Sequence, residues 1–496
     1  MSLPITYSVP SQMDLSKLDS AIPEGTTSRV VRVQPSNLST IVSPTYSCPA
    51  RNTIMPDSAF SSQNVIFDIP SQSGAFIDTR QSSVSFRVNY EVVNAGVTYR
   101  VGSTPSLRGG AFAFFDGLGI LGPAGNTIEQ VSELGLVTNI LTQYTMSNSD
   151  RDGNALQYGF YQNGGADGIV RGQDLAFLGT NAADLAALNN ITHSYSYPLM
   201  SSVIGTSASK FFPIYAVPKL QCILTTTNTL PITVTTFDQV IGTAATFRVT
   251  ISDLNLNLVY VTLPPAAIQM IESALPDGKM YLQGNQYRVS ASTLSAGVTG
   301  FNSILAGVRG SSVKSVFFSF HELLAAQSPY GKYDSKNPIA SQIAFNANSV
   351  RFPALPIEAL LHPARIMTDL QRSIGSFNNP NLKCSALSGR FCRLPAGASA
   401  PSLINDANTR DFTYTVQAAV VGAGEANGQN SFFFGQDLEA VNQEGILSGQ
   451  NLNSASSFLE LTIASAITNA HTVYCMACCD SIVIVDARSG GMDVRV

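Results

Sequence analysis

Apolar and polar residues alternate one for one over residues 83–92 (SVSFRVNYEV). Val84, Phe86, Val88, Tyr90 and Val92 fall on one face, and Ser85, Arg87, Asn89 and Glu91 on the other. Successive strand side chains point to opposite faces, so this pattern predicts a half-buried antiparallel strand. Phe247, Val249 and Ile251 repeat the period, which then changes phase to Leu254, Leu256 and Leu258. One extra residue in a strand produces such a shift, so a bulge is expected at Ser252 and Asp253. Phe412, Tyr414 and Val416 alternate, as do Leu459, Leu461 and Ile463. The continuous run Ile482, Val483, Ile484, Val485 predicts a strand covered on both faces.

Helical spacing is rarer. Residues 126–146 place Ile128, Val131, Gly135, Ile140, Leu141 and Tyr144 near a 3.6-residue period, with Asn126 in N-cap position. Residues 264–275 open on Pro264 and Pro265 and carry an Ile268, Ile271, Leu275 stripe. Residues 356–373 predict a third helix, kinked at Pro363. Many short strands and few helices predict an all-β chain of sandwiches or barrels.

At 496 residues the chain exceeds what one core ordinarily holds, so two β domains are expected. Residues 1–58 contain Pro4, Pro10, Pro23, Pro35, Pro44, Pro49 and Pro56 and read as an extended arm. The proline-led helix after residue 263 suits a hinge, giving domains at 59–265 and 266–496. No sequence repeat links the two, so any likeness between them is expected in fold only.

Charge changes the picture most. Asp, Glu, Lys and Arg make up only 12% of the chain, against roughly 25% in ordinary soluble proteins. Charge keeps free proteins apart, so a surface so poor in it is expected to be covered by other copies. The net charge is -5 with no basic cluster, which argues against sequence-specific nucleic-acid binding. Seven cysteines without regular spacing predict reduced thiols in an intracellular compartment. The first residues lack the basic start and apolar core of a signal peptide, and no window offers the roughly 18 apolar residues of a spanning helix.

The candidate chemistry is incomplete at each place it arises. The histidines, His193, His321, His362 and His471, have no Cys or acidic residue at metal-ligand spacing. His321 and Glu322 begin like a zincin helix, but Ala325 stands where the second His is needed. Cys475 and Cys478 form a C-x-x-C in an apolar, strand-like segment, with Cys384 and Cys392 the only available completers. Core packing is expected of them rather than zinc. Residues 148–153 imitate the start of a calcium loop, but Gly159 occupies the place of the closing bidentate Glu. Residues 420–428 carry a Gly-rich loop whose third glycine is one place late and which no helix follows. No catalytic, cofactor-binding or metal residue is assigned.

The C-terminal residues 472–486 (TVYCMACCDSIVIVD), followed by Gly490, Gly491, Met492, Asp493 and Val494, resemble the closing strand pair of double jelly-roll major capsid proteins. The kin in question are those of virophages, Polinton-like viruses and related large DNA viruses. Residues 312–320 (SVKSVFFSF) resemble a strand that opens the variable region of the second barrel. Residues 333–338 (YDSKNP) and 349–357 (SVRFPALPI) resemble a proline-bearing stretch of the same family, and Phe114, Phe115, Asp116 and Gly117 resemble the approach to the first barrel's helix.

The resemblance implies two eight-stranded jelly rolls side by side, with three copies forming a pseudo-hexagonal capsomer that tiles an icosahedral shell. It also implies a structural rather than enzymatic role in the virion. The implied partners are two further copies, neighbouring capsomers, and penton and minor or cement proteins. The competing readings are a minor capsid, fibre or receptor-binding β protein, and a β-sandwich carbohydrate enzyme with two carboxylates facing across a cleft.

Overall fold

The computed structural model describes residues 25–37, 45–47, 62–94, 97–100, 110–147, 154–158, 174–176, 193–208, 211–227, 233–236, 246–323, 335–377, 432–439, 449–453 and 456–495. In the first half the strands are β1 (Thr27–Val33), β2 (Thr45–Ser47), β3 (Asn64–Ile69), β4 (Ala75–Asn94), β5 (Val97–Arg100), β6 (Phe115–Leu121) and β7 (Thr127–Ser132). Helix α1 (Leu134–Thr145) follows. Then come β8 (Asp174–Ala176), β9 (His193–Pro198), β10 (Phe211–Phe212), β11 (Leu220–Thr226), β12 (Thr233–Thr236) and β13 (Thr246–Thr262). Helix α2 (Pro265–Ala274) leads into β14 (Lys279–Leu294), β15 (Gly300–Leu305), β16 (Val313–Glu322), β17 (Ala340–Ala347) and β18 (Val350–Glu358). Helix α3 (Pro363–Ile374) precedes β19 (Phe433–Asp437), β20 (Ser457–Ile463), β21 (His471–Asp486) and β22 (Met492–Arg495).

Four antiparallel sheets carry the fold. One runs β1-β13-β4, with β5, β9 and β10 along the free side of β4 and β2 on β13; its partner runs β3-β11-β6-β7. In the second half the sheets run β14-β21-β16-β19, with β22 on β21, and β15-β20-β17-β18. Set aside the short additions and number the principal strands of each half one to eight. Both halves then have the same wiring, 1-8-3-6 facing 2-7-4-5. This doubled Greek key is a jelly roll, and the chain builds it twice. Likeness of the halves in fold without likeness in sequence is what the chain led us to expect.

Aromatic rings tie facing sheets together. Phe86 of β4 lies 5.5 Å from Phe115 of β6 on the facing sheet and 5.6 Å from Tyr195 of β9, its neighbour within the same sheet, at ring centroids. In the second half Phe318 of β16 meets Phe345 of β17 at 5.7 Å. Val84, Phe86 and Val88 are buried as the alternation required, and so are Leu459, Leu461 and Ile463. The bulge lies where the phase change put it: the β13 to β4 register shifts between Ser252 and Asn255, and Asp253 has a φ of 50°. The Phe412 to Val416 segment lies outside the described residues.

Four expectations change. Residues 127–132 are a strand, not the first turns of a helix, and α1 starts only at Leu134. The β-branched Thr127, Ile128 and Val131 pair well on a pleated sheet, and Asn126 caps nothing; its side-chain amide donates to the Met492 carbonyl at 3.0 Å. Pro363 does not kink a helix but begins one, because its missing N–H costs nothing at the first turn. Of the predicted helical residues before it, 356–358 belong to β18 and 359–362 form the turn between strand and helix. The stretch of β21 covered on both faces is Cys475 to Ser481, while Ile482 and Ile484 are only half-buried. Finally, Thr27–Val33, within the stretch read as an arm, is the first strand of a sheet, pairing with β13 from Thr262 to Leu256. Its outer position leaves Val30 67% exposed, so no apolar alternation betrayed it.

Candidate assembly surface and seam

Two jelly rolls in one chain form one subunit only if their seam is specified, and the seam is where this molecule concentrates its unusual residues. Glu129, on edge strand β7, is fully buried. Burial pushes its carboxyl above the ordinary range, opposed by hydrogen bonds from Ser201 and Ser202. The Ser201 hydroxyl donates to Oε2 at 2.5 Å and the Ser202 backbone N–H to Oε1 at 2.7 Å. Glu129 thus pins the loop after β9. That loop reaches the second half: the Asn285 N–H donates to the Ser207 carbonyl at 2.8 Å, and β14 passes so close that only a glycine fits at position 284.

Further contacts continue the seam. A Cβ at Gly490, in the β21–β22 turn, would lie 2.8 Å from Pro218 Cδ, and Gly490 has a φ of 70° that itself favours glycine. Tyr144 of α1 packs edge-on against Phe433 of β19 with centroids 6.0 Å apart. Apolar packing, backbone bonds and a buried carboxylate hold the halves together.

Among the residues singled out in sequence, the structure joins some and separates others. His362 occupies the N-cap position of α3 at the surface without a side-chain capping bond, its Nε2 3.7 Å from Glu358 Oε2. His193 lies at the start of β9, pairing with Val88. His321 and Glu322 stand on strand β16 rather than on a helix, opposite Thr472 and His471 of β21. There Glu322 joins a buried polar cluster that no local motif announced, while His321 Nε2 meets Ser319 Oγ at 2.9 Å. Glu322 accepts from Asn469 Nδ2 at 2.7 Å and pairs with Lys336 at 3.4 Å, while His471 Nδ1 meets the Asn469 carbonyl at 2.9 Å. Its members are separated by up to about 150 positions in sequence, so only the β16–β21 register reveals them.

Cys475, Cys478 and Cys479 are buried free thiols in the middle of β21. Burial pushes the Cys478 thiol up to about 12 and that of Cys479 to about 11. The neutral thiol is therefore the stable form, and these cysteines pack as small apolar groups. Beside them Ser312 donates to Asp480 at 2.7 Å, and Lys314 spans Glu439 at 3.2 Å and Asp480 at 3.8 Å. Burial works to lower the Lys314 pKa, but the two carboxylates hold it above its ordinary value. Among the described residues no group of His, Cys, Asp and Glu is placed to hold a metal ion, and no helix is long and apolar enough to cross a membrane. The loops 148–153 and 420–428, with Cys48, Cys384 and Cys392, lie outside the described residues.

The outward surfaces are strands and their edges. On edge strand β15, Phe301 and Leu305 are 65% and 53% exposed; on the opposite edge, Val350 and Leu355 of β18 are 54% and 75% exposed. Both edges of one sheet therefore present apolar side chains beside unpaired backbone groups, a surface suited to protein contact.

No protein-family model and no curated protein matches the chain. Among solved structures it is similar to VP54 of PBCV-1 as fitted into a reconstruction of the virophage Sputnik. The TM-score is 0.51 at 11% identity, covering 97% of this chain and 99% of that one. It is also similar to the quasi-atomic model of the PBCV-1 virus capsid, with a TM-score of 0.52 at 11% identity and the same coverages. At such identity the likeness speaks for the fold, and it speaks for nearly the whole chain: this is a double jelly roll of the kind seen in viral capsids.

Proposed function

We propose that this chain is the major capsid protein of an icosahedral virus, a structural and non-enzymatic subunit of the virion shell assembled inside the host cell. The observation that carries the reading is the double jelly roll, matched over 97% of the chain to a capsid structure. Two upright sandwiches per subunit supply two of six positions around an axis, so three copies close a pseudo-hexagonal capsomer by cyclic symmetry. The 12% charge content fits a surface shared among copies, and the apolar edges β15 and β18 fit subunit contacts.

In this reading the partners are two further copies, neighbouring capsomers, and penton and minor or cement proteins, with no sequence-specific contact to nucleic acid. The folding units are 59–265 and 266–496. β1 and β2 return from the N-terminal stretch 1–58 to pair with β13 of the first unit, and that stretch otherwise serves as an arm. Size-exclusion chromatography with light scattering tests the reading. A particle of three times the 52.6 kDa chain mass is expected, and a stable monomer at micromolar concentration would overturn it.

A further inference from the structure

The seam also borders an open cleft of about 500 Å³, within the size range of small-molecule sites. Gln130 and Ser132 of β7 line one wall; Gln286 and Arg288 of β14 and Arg309 beyond β15 line the other. The lining holds two arginines and no carboxylate. Arg288 Nη1 donates to the Arg309 carbonyl at 2.6 Å, which fixes that guanidinium at the wall and leaves its remaining N–H donors free of this bond. Among the described residues neither arginine is paired with a carboxylate. In a chain this poor in charge, two unpaired guanidinium groups in one cleft mark a place for an anion.

A second, separate observation narrows its chemistry. Gln286 is only 5% exposed, and its Oε1 accepts no hydrogen bond. A buried acceptor without a donor is costly, so the fitting ligand brings an O–H as well as negative charge.

We propose that the seam cleft binds a phosphate group, its oxyanion held by Arg288 and Arg309 and its remaining P–OH donated to Gln286. Hydrogen phosphate keeps this P–OH near neutral pH, whereas a phosphate monoester, with its second pKa at about 6, is there mostly the dianion without one, and sulfate has the charge and shape but no O–H. The site lies within one chain, so it stands or falls separately from the capsid reading.

The test is calorimetric titration of the full chain at constant ionic strength with inorganic phosphate, a nucleoside monophosphate, and sulfate. Saturable phosphate binding is expected, at least about tenfold tighter than sulfate. Arg288→Gln and Arg309→Gln should each weaken phosphate about tenfold or more, and Gln286→Met should abolish the preference over sulfate. Inorganic phosphate is expected to bind more tightly than the monophosphate, which near neutral pH is mostly the dianion without a P–OH; the reverse order overturns the contact to Gln286. Absence of saturable binding to the unmutated chain, or binding that both arginine variants leave unchanged, overturns the site. Equal affinity for phosphate and sulfate overturns the phosphate assignment. Should one arginine variant fail to fold, the other variant and the phosphate-to-sulfate ratio of the unmutated chain decide the matter.

Discussion

Replacing Gly284 by alanine places a methyl group 2.5 Å from the Ser202 carbonyl oxygen and 3.0 Å from that of Ser207. Both obstacles are backbone atoms, so no side chain can swing aside. Nor is the loop free to retreat, because Glu129 holds Ser201 and Ser202 through two short hydrogen bonds. Overpacking of this kind costs about 1–3 kcal/mol, and weakening a hydrogen bond to a carboxylate costs about 1.5–3 kcal/mol more. Since relaxation trades one against the other, Gly284→Ala should destabilise by about 2–4 kcal/mol. Over a jelly roll of some 200 residues that lowers the melting temperature by roughly 5–15 °C. Gly119→Ala is the matched control: it also lies within a strand, and its added methyl meets nothing nearer than Ile223 Cβ at 3.7 Å. Alanine is the better strand residue in open space, so this variant should be neutral or slightly stabilised. Differential scanning fluorimetry of both variants decides. Equal melting temperatures would refute the claim that β14 and the Ser202 loop are packed backbone to backbone.

Phe86→Ala removes the ring that meets Phe114, Phe115, Tyr195 and Tyr197, and should cost about 3–5 kcal/mol in chemical denaturation, confined to the first jelly roll. Stability should also depend on pH through His471. Burial holds its imidazole below the ordinary 6.5, against the pull of Glu322, so the unfolded chain binds the proton more readily. Stability is then complete above that ordinary value and falls as pH drops through it. His471→Asn should flatten this acid limb in melting curves, and an unchanged slope would count against it. Cys222, Cys475, Cys478 and Cys479 are buried with raised thiol pKa values, so peptide mapping after iodoacetamide at pH 8 should find them unlabelled in the native protein and labelled in urea.

Where one face of a strand is buried and the other wet, the sequence declares it. Val84, Phe86 and Val88 located β4, and the phase change at Ser252 and Asp253 located its neighbour's bulge, because burial forces a strict period of two. The C-terminal residues went further: residues 472–486 and Met492 to Val494 resemble a capsid strand pair, and β21 and β22 do pair, from Ile482–Arg495 to Val485–Met492. The failures have separate causes. β1 is an outer strand with its side chains in solvent, so nothing marks its period. Residues 127–132 mimic helical spacing because the β6–β7 register shifts at Ile128, which leaves the buried Ile128 and Val131 three positions apart. The seam was illegible for a different reason. Gly284 and Glu129 matter through atoms more than 70 positions away, and the Glu322, Lys336, Asn469 and His471 cluster exists only in the β16–β21 register. Contacts of that kind leave no local pattern.

In the proposed function, two jelly rolls fixed at one seam make a subunit that closes as a threefold capsomer. Electron microscopy of the purified protein tests it most directly. Class averages should show hexagon-outlined particles with threefold symmetry and two upright barrels per subunit. Single two-lobed particles, with no closed ring at any concentration, would contradict it.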